Sequence, residues 1–436
     1  MKEKNLIAIL LGISLFIQLG YMLVYESPIN LEYGSDSEQY IHLAKNLYTK
    51  GYVLDRRGDV LVHNIPYDKS MEQSTAWRVP GYPLFLAFSF MFYDSYTFIY
   101  MIQICLSLAA FAMLYKICKY FFGNTAALIF LIILILTPVY VAYSTQIMSD
   151  TLGIFLLVSI VYLFLFKRNI PLIAALSGFS LLVRSQYLFL VPILCLFLLY
   201  KKQYKKLAFF VIIFLAVLSP WIIRNYIVFD AFIPLSAQSG EALYFNTLPY
   251  QPELGDQGGC DEYLLPYHFS LVNSDLSEAE VSKILTKEAF KRMREDPIGI
   301  FKNKVVNFFI TISRPYRIQA FDSDQYDNYI SKVTFFGNFL KRGTIGHFLF
   351  KYSYWGFWIF VWLSGIIFMM FNFKKYLLIN MLALYPLLLG FTSAFAERAL
   401  IPFYPFMLML ACALWLKNEN WNFRGRINWI NNSQPS

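Results

Sequence analysis

The stretch TLGIFLLVSIVYLFLFKR, residues 151–168, decides the fold. Residues 151–166 contain no Asp, Glu, Lys or Arg; Asp150 precedes them and the basic pair Lys167-Arg168 follows. A membrane-crossing helix takes about 20 mostly apolar residues, within a range of roughly 17–25. The run sits at the short edge of that range, and its charged ends extend its reach by snorkelling. It has company on both sides. The charge-free stretches are 5–25, 79–93, 95–115, 120–149, 151–166, 169–183, 185–200, 207–223, 352–373, 376–396 and 399–416.

Composition agrees. Of the 436 residues, 58% are hydrophobic, 19% aromatic and only 15% charged. Soluble domains carry about a quarter charged residues and roughly 45–50% apolar ones. The numbers exclude a soluble globular enzyme, a disordered chain, a collagen and a disulfide-rich secreted domain. They fit a polytopic membrane protein.

The basic residues order the spans, because cytoplasmic connections carry an excess of Lys and Arg. With Lys2 and Lys4 inside, 5–25 crosses outward. If 79–93 dips in or lies along the outer surface, the later inner connections hold Lys116 and Lys119, then Lys167 and Arg168, then Lys201, Lys202, Lys205 and Lys206, then Lys374 and Lys375. The tail holds Lys417, Arg424 and Arg426. Every inner connection is then basic, whereas a crossing by 79–93 would invert all the later ones. The expectation is an all-α bundle of ten transmembrane helices, eleven if 79–93 also crosses. Its modules are an N-terminal module 1–223 with an outer loop 26–94, an outer region 224–351, transmembrane helices in 352–416 and a cytoplasmic tail 417–436. The inner segments carry +13 and the rest −4, which accounts for the net charge of +9. The basic excess is thus topological, and no nucleic-acid partner is expected.

Residues 5–25 are long for a signal-peptide core and no small-x-small cleavage site precedes Glu26, so a retained span is expected. Of the five cysteines only Cys260 falls well inside an outer loop, so no disulfide staple is expected there. No internal repeat is visible.

In the first outer loop, Tyr40, Leu43, Ala44 and Leu47 recur at helical spacing. Asp36 or Ser35 can cap that helix and Gly51 can end it. Such a helix is expected to lie along the membrane surface. In the second outer region, 234–260 reads as irregular, and no strand hairpin is clear. Ser277 with Glu280 forms a capping box opening a helix that Pro297 stops. Its Lys283, Lys287, Lys291, Arg292 and Arg294 read as a solvated face. Residues 298–312 read as an interfacial or partly buried helix.

The same topology places Asp36, Arg78, Asp150, Arg184, Arg224, Glu397 and Arg398 at one face. Ionisable groups in or beside a membrane are expensive, and they face a cavity or a partner. Arginine forks bind phosphate oxygens bidentately and stay charged. Phosphate leaves without a general acid, whereas an acceptor hydroxyl needs a base, which a carboxylate supplies. The set therefore suits group transfer from a lipid-linked phosphate. Each residue also has a plainer role open to it. Asp36 and Asp150 can be helix caps, the arginines headgroup anchors, and Glu397-Arg398 a local ion pair. Asp36, Glu38 and Asp150 also offer oxygen ligands to a divalent cation, although no compact ligand spacing demands a metal. The four histidines are scattered and read as ordinary.

In order and spacing these pieces resemble the GT-C glycosyltransferases that use polyprenyl-phosphate-linked sugars. That superfamily includes the protein O-mannosyltransferases and the aminoarabinose transferase of lipid A. The resemblance runs from about residue 5 to 416. Its pieces are Ser35-Asp36-Ser37 with Tyr40 and Ala44; Arg78-Val79-Pro80-Gly81-Tyr82-Pro83-Leu84; Met148-Ser149-Asp150-Thr151; Leu182-Val183-Arg184; Pro220-Trp221-Ile222-Ile223-Arg224-Asn225; and Ala396-Glu397-Arg398 with Pro402 and Pro405. The resemblance implies a GT-C-like bundle with Asp36 as catalytic acid and Asp150 as a second functional acid. It implies that the arginines of the matching motifs, Arg78, Arg184, Arg224 and Arg398, contact the donor phosphate or shape its cavity; Glu38, Tyr40, Tyr82 and Glu397 are further candidate substrate contacts. Arg-Val-Pro stands here where Arg-Pro-Pro is usual, and Ser37 follows the first acid instead of a second acid. The soluble C-terminal domain of some relatives is not expected in 417–436.

The expected activity is inverting transfer of a sugar from a polyprenyl-phosphate donor to an acceptor glycan, lipid or protein. It would occur at the outer side of a bacterial or archaeal plasma membrane. Two alternatives remain: a lipid-linked glycan polymerase or ligase with a diphosphate donor, and a lipid or polysaccharide transporter. Transporters often show paired repeats and midplane binding groups, which the sequence lacks.

Overall fold

The computed structural model of the chain describes residues 3–24, 36–55, 72–248, 271, 276–313, 345–392 and 401–416. Glu397, Arg398, Cys260 and the 417–436 tail lie outside them.

The described residues are almost entirely helical. Helix α1 spans Glu3–Val24 and α2 spans Asp36–Asn46. Strands β1 (Val53–Asp55) and β2 (Glu72–Ser74) pair antiparallel, with Leu54 opposite Gln73. This hairpin is an addition to the sequence reading. Three-residue strands are too short to show an alternation. Next come α3 (Gly81–Phe92), α4 (Tyr96–Leu136), α5 (Pro138–Ser144), α6 (Ser149–Phe166) and α7 (Ile170–Val183). A 3-10 turn, Ser185–Phe189, leads into α8 (Leu190–Tyr200) and then α9 (Tyr204–Phe229). The 224–351 region contributes α10 (Gln238–Phe245), α11 (Glu278–Glu295) and α12 (Pro297–Ser313). The chain closes with α13 (Ile345–Asn372), α14 (Leu377–Thr392), a 3-10 turn at Ile401–Phe403 and α15 (Tyr404–Trp415).

Among the described residues five helices are long and apolar enough to cross a membrane: Glu3–Leu23, Tyr96–Leu136, Ser149–Phe166, Tyr204–Phe229 and Tyr352–Asn372. Gly81–Phe92, Ile170–Val183, Ser185–Tyr200 and Ile401–Trp415 are shorter apolar helical segments. At 1.5 Å per residue α3 is about 18 Å long, short of a hydrocarbon core of about 30 Å.

Two boundaries differ from the sequence reading. Lys116 and Lys119 are expected from sequence to form an inner connection, yet both lie within α4. Their side chains reach sideways: Lys119 pairs with Glu3, and Lys116 Nζ stands 5.6 Å from the Tyr162 ring centre. The turn comes at Gly123 (φ 84°), a left-handed conformation that glycine adopts without a Cβ clash. Tyr115 donates to Asn124 Oδ1 across it at 2.6 Å. The 120–149 stretch is broken again before Pro138, which lacks an N–H for a continuing helix.

Helix α15 forms the centre of the core. Tyr404 to Ala413 are all buried, as a helix apolar on every side requires. It packs along α13, where Trp358 and Trp362 meet the Tyr404 ring and Ser364 accepts from Trp415 Nε1 at 2.9 Å. Helices α4, α6, α7 and α9 pack in succession.

Helix α2 buries more than the apolar stripe read from its sequence. It packs against α3, and besides Tyr40, Leu43 and Ala44 it buries Glu38, Gln39 and Ile41. The capping box of α11 forms as read: Ser277 Oγ accepts from Glu280 N at 3.3 Å, and Ser277 N donates to Glu280 at 2.8 Å. Lys283, Lys287, Lys291 and Arg294 are exposed, whereas Arg292 folds over the Tyr244 ring at 4.8 Å.

The start of α3 abuts the end of α7. A Cβ on Gly81 would stand 2.6 Å from the carbonyl carbon and oxygen of Leu182. This approach brings the segment after Arg78 beside the segment before Arg184. Gly81→Ala must push the two apart, at a cost of about 1–3 kcal/mol for overpacking. The expected result is a lower thermal midpoint in detergent, and a midpoint equal to the native one would refute the packing argument.

Candidate functional site

The site is assembled from helix ends. Asp36 opens α2, Arg78 precedes α3, Asp150 lies in the first turn of α6, and Arg184 follows α7. Helix N-termini carry partial positive charge, which suits both acids.

Two ion pairs form. Asp36 pairs with Arg78 Nη2, and Arg78 Nε donates to Gln39 Oε1 at 2.7 Å. Arg184 Nη1 stands 2.7 Å from Asp150 Oδ1. The pairs differ in access: the Asp36 side chain is 23% exposed, and that of Asp150 is 0% exposed. Arg184 also donates to Ser149 Oγ at 3.2 Å and to Gln186 Oε1 at 3.3 Å.

Tyr40 and Ser149 join the pairs into one array. The Arg78 guanidinium lies 5.8 Å from the Tyr40 ring centre, and the Tyr40 hydroxyl is 3.3 Å from Ser149 Oγ. Tyr82 supports Tyr40 edge-on at 4.9 Å and donates to Gln103 Oε1 at 2.9 Å. Gln103 in turn donates to the carbonyls of Ser144 and Gln146, so the α5–α6 connection is tied to α4. Ser37 Oγ approaches Met148 Sδ at 3.5 Å, a further contact between α2 and the start of α6.

The other sequence-read residues are placed differently. Glu38 is buried and faces His42 Nε2 at 3.7 Å. Arg224 turns toward backbone: it donates to the Thr75 carbonyl at 2.7 Å and the Tyr52 carbonyl at 3.0 Å, amid the rings of Tyr52, Trp221 and Phe229. Burial raises the Tyr52 phenol well above its ordinary value, so it stays neutral and donates to the Arg78 carbonyl at 2.9 Å. Among the described residues no three His, Cys, Asp or Glu stand together as metal ligands.

Sequence reasoning misses Gln39 and Gln186, and it takes Ser149 only as the neighbour of Asp150. Neutral polar residues at helix ends carry no charge signal. A serine at a helix start beside an acid is nonetheless a fair sign of a polar junction.

Arg78, Asp150 and Arg184 share residues 78–223 with a family match, whereas Asp36 and Tyr40 lie before it and Arg224 just after. Neither a curated protein nor a solved structure matches the chain. Residues 78–223 match the model of the family described as dolichyl-phosphate-mannose-protein mannosyltransferase, a family of the GT-C superfamily, in keeping with the resemblance carried by the motifs.

Proposed function

We propose that the chain is an inverting membrane glycosyltransferase that takes its sugar from a polyprenyl-phosphate donor, with Asp36 as general base and Arg78 and Arg184 as the phosphate-binding cations. The observation that carries this reading is the array itself. It joins a solvent-reached carboxylate to two arginines through Tyr40 and Ser149, and it sits on helix ends of an apolar bundle. The family match over 78–223 supports the donor class.

The chemistry follows from these positions. An acceptor hydroxyl near Asp36 gives up its proton to the carboxylate while its oxygen attacks the anomeric carbon. The bond from that carbon to phosphate oxygen breaks on the opposite face. The phosphodiester monoanion becomes a phosphate monoester carrying the second charge. Guanidinium groups aimed at that oxygen stabilise the developing charge. Asp150 acts through Arg184 in this scheme: a fully buried carboxylate meets no acceptor, but it holds the guanidinium in place. Glu38, through His42, and Tyr82, through Tyr40 and Gln103, fix the α2 side of the array. Arg224 acts on the loop that carries Arg78.

The test is transfer by the full chain reconstituted in liposomes, with a panel of labelled polyprenyl-phosphate and polyprenyl-diphosphate sugars. Transfer from the monophosphates with an inverted product linkage is expected. Transfer from diphosphates alone would replace this reading with the polymerase or ligase one. Flux without covalent transfer would replace it with a transporter.

A further inference from the structure

The segment that carries Arg78 belongs to no helix or strand. Strand β2 ends at Ser74 and α3 begins at Gly81. Buried backbone groups outside regular structure must find partners elsewhere. Here they find them one by one. Thr75 N donates to the Tyr52 carbonyl at 3.2 Å, and the Thr75 carbonyl accepts from Arg224 at 2.7 Å. Ala76 N donates to Glu278 Oε2 at 2.7 Å, and the Ala76 carbonyl accepts from Ala237 N at 2.9 Å. Trp77 N donates to Thr75 Oγ1 at 2.9 Å, and the Trp77 carbonyl accepts from the Ser236 hydroxyl. The Arg78 carbonyl accepts from Tyr52.

Glu278 stands out among these partners. Its two carboxylate oxygens accept from two donors on the same segment, Thr75 Oγ1 at 2.6 Å and Ala76 N at 2.7 Å. It comes from the first turn of α11, about 200 positions further along the chain. The partners Ser236 and Ala237 lead directly into α10, and α10 packs on α11 around Tyr244, Val281, Leu285 and Ala289. The α10–α11 pair therefore grips the Arg78 segment at three successive residues, Glu278 being the charged contact.

We infer that Glu278 is a positioning residue for Arg78. By fixing Thr75 and Ala76 it sets where the Arg78 guanidinium is presented, so donor-phosphate engagement depends on the docking of the α10–α11 pair. This rests on the proposed function, in which Arg78 receives the donor phosphate. Glutamine in place of Glu278 offers one acceptor oxygen to two donors and turns an N–H toward the second. A charge-assisted hydrogen bond is lost and a donor is left facing a donor.

The experiment measures donor KM, acceptor KM and kcat in liposomes for the native chain, Glu278→Gln, Thr75→Val, Arg78→Lys and the double variant Glu278→Gln/Arg78→Lys. Donor KM should rise about tenfold in Glu278→Gln, the loss expected for one charge-assisted hydrogen bond. It should rise less in Thr75→Val, and acceptor KM should hold. In the Arg78→Lys background Glu278→Gln should add little, because both act through one guanidinium. A donor KM unchanged by Glu278→Gln, or a full independent effect in the double variant, would overturn the inference. If Glu278→Gln fails to fold, Thr75→Val and its double variant with Arg78→Lys decide by the same criteria. If the native chain transfers no sugar, the proposed function falls. Hydrogen exchange at the Ala76 amide then decides the clamp: faster exchange in Glu278→Gln upholds it and unchanged exchange removes it.

Discussion

Asp36→Asn should hold its donor and stop transferring. The asparagine matches the carboxylate in size, and its oxygen can still accept from Arg78 Nη2, so α2 and the array keep their geometry. What it loses is the ability to take a proton from a hydroxyl at neutral pH. General-base contributions run to about 10²–10⁴ in rate, and kcat should fall by that range. Binding should go the other way. The Asp36 carboxylate repels an anionic donor next to Arg78, so removing its charge should leave the donor dissociation constant unchanged or smaller. That pairing of lost turnover with intact binding separates a base from a helix-start residue, whose loss would weaken stability and binding together. Asp36→Glu should recover part of the rate, since it keeps the proton acceptor one methylene out of place. Turnover of Asp36→Asn within threefold of native would sink the assignment.

The bundle is legible in the sequence because a bilayer admits few alternatives. Backbone polar groups in hydrocarbon must bond internally, so long charge-free runs can only be helices. The failures come from the same physics. Lys116 and Lys119 look like a loop because charge marks a boundary, yet long side chains at a helix end reach out sideways, as Lys119 does to Glu3. The conformational signal lies a few residues on, in Gly123. In the site, the arginines and acids draw attention because buried charge needs a partner. Which acid meets which arginine is not readable, since Arg78 reaches back 42 positions to Asp36 and Arg184 only about 34 to Asp150. Arg224 carries the same signal as the other arginines but meets carbonyls, a partner type with no mark in sequence. Glu278 reads only as part of a capping-box turn, and a helix-start acid gives no hint that it reaches a segment 200 positions away.

The largest effect on folding is expected at Arg184. Asp150 is completely buried, and the guanidinium of Arg184, whose side chain is 12% exposed, faces it. Two positive charges face the carboxylate: that guanidinium, 2.7 Å away, and the partial charge at the N-terminus of α6. The helix end contributes typically 0.3–1 kcal/mol, too little to offset burial of a carboxylate. Arg184→Met removes the guanidinium while keeping an unbranched apolar side chain against Gly153. Breaking a buried pair from one side costs about 3–5 kcal/mol, which is a large share of a domain's stability. Arg184→Met should therefore show a sharply lower thermal midpoint in detergent, or no folded protein. Asp150→Asn should be milder, because the arginine it strands lies closer to solvent and keeps Ser149 and Gln186 as acceptors. The double variant Asp150→Asn/Arg184→Met leaves neither charge of the pair stranded and should regain most of the lost stability, since a buried ion pair replaced from both sides is often neutral. It should not regain transfer, because the second cation proposed to bind phosphate is gone. Recovery of stability without recovery of turnover assigns the pair both roles. An Arg184→Met protein as stable as the native chain would refute the structural role of the Asp150–Arg184 pair. A double variant that transfers sugar would remove Arg184 from the site.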